Sequence, residues 1–140
     1  MAQRIAMALL VALTASGCKG PTDPSKNTTE TFMGTVQPQS IGEPIPHFTI
    51  SSLGEFSVTM TALTPGNVFV GIGWGQWSGN SCGLIPGQTN IVGSANISRT
   101  VLSGQIFIKG DYCVVVFDGT NLGAPPLTVA QNYTVQVSHP

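Results

Sequence analysis

Charge is what this 140-residue chain has least of: Lys and Arg number five and Asp and Glu six, for a net charge of -1. Binding through phosphates requires several cations in one place, so this scarcity excludes nucleic acid as a partner. Imidazole is scarce too. His47 and His139 are the only histidines; one follows a proline at the start of a strand and the other is next to last, where chain ends fray. Neither lies in a pattern that would supply a nucleophile, a base and an orienting group. Glu43, Glu55, Asp111 and Asp118 are the carboxylates of the segment expected to fold. Asp111 and Asp118 stand at opposite ends of one extended run, roughly 23 Å apart, too far for a hydrolytic pair. Each is beside a glycine and reads as a turn residue. A calcium site built from Asp118, Asn121 and loop carbonyls would have a single carboxylate, and transition-metal ligands are lacking. The chain therefore reads as a non-enzyme, with no catalytic residue, no metal and no cofactor.

Long hydrophobic runs are also missing. The longest, Ile5 to Leu13, is too short to span a bilayer as a permanent helix. With Arg4 before it and the small residues Thr14-Ala15-Ser16-Gly17 after it, the run has the form of an export signal. Ala15-Ser16-Gly17-Cys18 resembles the bacterial lipobox, with alanine where leucine is usual. That resemblance implies that Cys18 is diacylated, becomes the mature N-terminus and holds the protein to a membrane. Residues 18–31 are polar up to Glu30 and punctuated by Pro21 and Pro24. They read as a disordered tether, because they bury too little apolar surface to offset their ordering entropy. The expected organisation is a signal peptide over 1–17, a tether over 18–31 and a folded domain over 32–140.

Three cysteines in an exported chain leave one unpaired. With Cys18 acylated, Cys82 and Cys113 form a natural disulfide in an oxidising compartment; two buried free thiols are the alternative.

Helical periodicity is absent beyond the signal, and short strands fill the rest. Gly110 to Asp118 is a β-branched and aromatic run closed by turns, expected at the centre of the fold and buried on both faces. Tyr112, Val114 and Val116 would face one way, and Cys113, Val115 and Phe117 the other. Around it lie Phe48 to Ile50, an alternating strand Glu55 to Leu63 with Phe56, Val58, Met60 and Ala62 on one face, Val68 to Trp74, Arg99 to Lys109 bent around Gly104, and Gln131 to Ser138 with Tyr133, Val135 and Val137 inward. Gly75 to Asn90 reads as loop. About seven to nine short strands joined by Gly, Pro and Asn turns predict an all-β fold, an antiparallel β-sandwich of jelly-roll or Greek-key type.

Phe48-Thr49-Ile50, the alternation Phe56 to Leu63, Gly110 to Val116, and Asn132-Tyr133-Thr134-Val135-Gln136-Val137 together resemble the bacterial pre-peptidase C-terminal domain over about residues 46–138. The resemblance implies a β-sandwich of secreted and surface proteins. Where that family carries an Asp-rich segment after the second strand, this chain has Val68 to Gly73.

The stretch Gly71-Ile72-Gly73-Trp74-Gly75-Gln76-Trp77-Ser78-Gly79 lacks the lysine and following helix of a phosphate cradle. Two readings are open for it. Trp74, Trp77 and Gln76 form a rim that binds a ligand, or the tryptophans fill the core. A surface rich in Ser, Thr, Asn and Gln suits glycan or another envelope protein as a partner. The expected function is a lipid-anchored binding or structural module of the bacterial envelope, at the outer membrane or cell surface. A soluble secreted domain beside a separately encoded hydrolase is the alternative.

Overall fold

The computed structural model describes residues 23–45 and 47–140. Its first sheet contains, in spatial order, β1 (Thr28–Val36), β9 (Gln131–His139), β4 (Gly54–Thr64) and β7 (Thr100–Ile106). The second has β2 (Glu43–Pro44) and β3 (Phe48–Ile50) along one edge, then β8 (Gly110–Asp118), β5 (Phe69–Ser78) and β6 (Ser81–Gly93). All pairings are antiparallel. β2 and β3 amount to one interrupted strand, since both pair β8 and the Ile45 N–H between them donates to Val114 O at 2.9 Å. Proline in such a strand is tolerated only at a sheet edge, which is where Pro44 lies. With β2 and β3 taken together, every connection except the β5–β6 hairpin crosses from one sheet to the other. That crossing pattern makes the sandwich a jelly roll.

The expected central strand is central. β8 lies between β5 and the β2/β3 edge, and every residue from Tyr112 to Asp118 is buried. Tyr112, Val114 and Val116 point into the core with Ile72, Trp74, Val135 and Val137. Cys113, Val115 and Phe117 face outward and are nevertheless covered. The Phe117 ring lies over Gly71 of β5, where a Cβ would overlap it. The glycine face of β5 is thus occupied by a side chain of the protein itself.

Aromatic rings tie the two sheets together. Trp74 stacks on Phe56 of the opposite sheet at 3.9 Å and 12°, and packs against Tyr112 at 5.3 Å and Phe48 at 5.6 Å. Phe48 also stacks on His139 at 5.0 Å.

Four expectations need correction. Residues 28–31, assigned to the tether, are in β1, where Thr28 pairs with His139 and Thr31 with Gln136. Pairing along β9 satisfies their backbone groups, so a polar segment needs no apolar face of its own to be ordered. Gly75 to Asn90 is a hairpin and not a loop, with β5 running to Ser78 and β6 starting at Ser81. Phe107 to Lys109 lies outside β7, because Phe107 and Ile108 are both exposed, contrary to strand alternation. His139 is not frayed: it is buried, and its Nε2 lies 2.9 Å from Glu30 Oε1.

Asp118 locks the end of the sandwich where β8 leaves the sheet. It caps the 3₁₀ turn Gly119–Leu122, with Oδ1 accepting from the Thr120 N–H at 3.1 Å and from its hydroxyl. Oδ2 accepts from Gln39 N at 2.8 Å and Leu127 N at 3.2 Å, which fastens the β1–β2 connection and the far part of the β8–β9 connection to the same carboxylate. Burial pushes this carboxyl up, but the bonds from Thr120, Gln39 and Leu127 outweigh it and hold the pKa below the ordinary value. A folded-state pKa below the unfolded one gives stability that is complete above about pH 3.9 and is lost as pH falls through the folded pKa. Wild type should therefore lose melting temperature on acidification below about pH 4, whereas Asp118→Asn should melt lower at neutral pH and respond less to acid. Parallel acid profiles of the two proteins, read by calorimetry, would refute this role.

Candidate functional site

The β5–β6 hairpin of the second sheet also opens a cleft. Gly73 pairs with Thr89, but two residues later Gly75 pairs with Leu84, so residues 85–88 leave the ladder opposite Trp74. Gly87, at φ 78°, allows the excursion. It brings Gln88 beside Gly104 of the other sheet, while the Asn90 side chain donates to Val101 O at 2.9 Å, so that the edges of β6 and β7 meet and leave a gap only beyond Gln88.

Beside this junction is a cleft of about 400 Å³, within the range of small-ligand sites. Phe56, Trp74, Tyr112 and Ile85 form its apolar floor. Gln76, Gln88 and Gln105 bring three amides to it, and Phe107 and Ile108 form one lip. The Gln105 side chain donates to Glu55 Oε1 at 3.0 Å, which orients its amide. The Tyr112 hydroxyl donates to Ile108 O at 2.6 Å, which pins the lip to the floor. Among the described residues lining the cleft no carboxylate, imidazole or ammonium group occurs. An aromatic floor can stack on an apolar ring face, and each amide can both donate and accept a hydrogen bond. Such an arrangement can bind an uncharged polar molecule.

The residues expected to form a rim divide between two surfaces. Trp74 and Gln76, two apart on β5, share the inner face and meet in this cleft, whereas Trp77 points outward. Trp74 is only 1% exposed, so it is a core residue forming the back of the site and not a free platform. Trp77 is half-buried and its ring is stacked on His47 at 4.7 Å and 11°, so one of its two faces is covered. Cys82 and Cys113 form a disulfide on that outer surface. Cys18 lies outside the described residues. Asp118 has N–H and O–H donors directed at both oxygens, an environment for an anion and not for a calcium ligand.

The sequence reading missed Gln88, Gln105, Phe107 and Ile108. A signal for the last two was present: Ile106, Phe107 and Ile108 are consecutive and cannot all face one core from a strand. Nothing local marked the glutamines. No protein-family model matches the chain, and no curated protein matches it.

Proposed function

We propose that the protein is a non-catalytic, exported β-sandwich module, anchored by lipid at Cys18 in the bacterial envelope, that holds an uncharged, hydroxyl-rich ligand such as a glycan. The observation that carries the ligand class is the lining of the cleft: aromatic rings beneath three glutamine amides, one of them held by the Glu55 carboxylate beside the mouth. Sugars offer the matching chemistry, apolar ring faces for stacking and hydroxyls for amides. Anchoring is supported by the signal pattern before Cys18 and the short polar segment after it. A two-sheet sandwich of this size also suits a surface domain of the pre-peptidase C-terminal type.

Glycan arrays followed by calorimetry test the reading. The doubly substituted Gln88→Ala, Gln105→Ala protein should bind the best array ligand about ten- to a hundredfold more weakly, at roughly 1 kcal/mol per hydrogen bond lost. Its melting temperature should remain near that of wild type, since both side chains are at the cleft margin. Trp77→Ala, on the other surface, should bind as wild type does. Equal affinity of the double variant, or no glycan bound by wild type, would sink the assignment.

A further inference from the structure

We infer that the tip formed by Phe107, Ile108 and Leu53 is a second membrane contact, inserting into the lipid interface at the end of the domain where the chain enters. Phe107 and Ile108 are 80% and 64% exposed, and they are the only adjacent pair of exposed large apolar side chains among the described residues. Exposed apolar residues that cluster mark an interaction surface. Leu53 joins them: Gly54 pairs with Ile106 and Ile50 with Gly110, which sets connections 51–53 and 107–109 side by side. The tip is held in place, because Ile108 O accepts the Tyr112 hydroxyl.

A bilayer is the occupant because of where the chain arrives. The Asn27 side chain donates to Glu55 O at 2.9 Å, so the segment leading into β1 passes beside this same end of the sandwich. Asp23 is five positions after Cys18, a reach of at most about 18 Å when fully extended. An acyl group on Cys18 would therefore hold this end within a short distance of the lipid surface, and here the inference rests on the anchored reading. Phe and Ile at the tip of an ordered connection can then enter the boundary between headgroups and acyl chains. Lys26 and Lys109 share this end with Asp23, Glu55 and Asp111, so the contact is apolar and not electrostatic.

Quenching by brominated phosphatidylcholine in protein-free vesicles reads the contact. The full chain carrying Phe107→Trp is compared with one carrying Ile41→Trp, at an 87% exposed site in the connection between β1 and β2 at the opposite end. Subtracting the wild-type signal removes Trp74 and Trp77. Emission from Phe107→Trp should be quenched at least about twofold more than that from Ile41→Trp, with no change on raising salt. Intact mass of the same preparation reads the lipid on Cys18 independently. An acylated chain with equal quenching at both sites overturns the tip and leaves the anchor standing. Stronger quenching at Phe107→Trp on a chain without lipid supports the tip and removes the anchor. Absence of both lipid and quenching removes both.

Discussion

Replacing Trp74 by alanine should lower folding stability by about 3 to 5 kcal/mol, the cost of emptying a large aromatic site in a well-packed core. The indole is 1% exposed and lies between the sheets, against Phe56 on one side and Tyr112 and Phe48 on the other. Its removal leaves three aromatic rings without a common neighbour, and the strands that carry them cannot collapse without breaking register. Three residues along, Trp77→Ala should cost only about 1 kcal/mol, because that ring is half in solvent and its main partner is the exposed His47. Denaturant unfolding of the two variants gives the comparison. A loss below about 1 kcal/mol for Trp74→Ala would show that the stack does not hold the sheets together. Because Trp74 supports both fold and cleft, its substitution is a poor probe of ligand binding; Gln88 and Gln105 separate the two roles.

The difference between the two tryptophans explains how far the sequence could be read. β4, β8 and β9 were legible because Phe56, Val58 and Met60, then Tyr112, Val114 and Val116, then Tyr133, Val135 and Val137 recur with period two, and all are buried. That period says which residues share a face, but not which sheet a strand joins, so the choice between jelly roll and Greek key waited for the crossing pattern. β6 was illegible for another reason. Its residues from Ser81 to Asn90 include two glycines, a proline and several polar side chains, and the ladder is interrupted at 85–88. Tertiary pairing with β5 orders a segment whose own preferences favour a loop.

The candidate site was half legible. Trp74 and Gln76 follow from their place on β5, but Gln88 reaches the cleft through a bulge and Gln105 through a strand of the other sheet. Their meeting depends on contacts distant in sequence, which no local pattern encodes. Asp118 shows the same limit. Its turn role beside Gly119 was visible, whereas its hold on Gln39 and Leu127 needed the folded chain.

Removing both cysteines, as Cys82→Ala with Cys113→Ala, should cost about 3 to 4 kcal/mol in the chain-entropy model, and lower the melting temperature by roughly 10 to 20 °C. The bond closes a sequence separation of 31 residues. Its position gives it a local effect as well. Beyond the excursion at 85–88, the outer part of the hairpin pairs within itself from Gly75 with Leu84 to Ser78 with Ser81 and reaches β8 only through Gly75 and Gln76, and Cys82 adds a covalent tie from its second strand to β8. Gly75 lies between the two cysteines, where a Cβ would come 2.9 Å from Cys82 Sγ, so the close approach depends on glycine there. Without the bond, amide exchange should accelerate first across residues 75–84 and only later along β8 and β9. On the proposed reading of the cleft, glycan affinity should fall with it, because Gln76 and Gln88 are positioned by this hairpin. Substituting both residues avoids the free thiol that either single change would leave. Labelling of both cysteines by a thiol reagent in the native, unreduced protein would refute the bond. Unchanged melting and exchange in the double variant would show instead that the hairpin is held by its ladder alone.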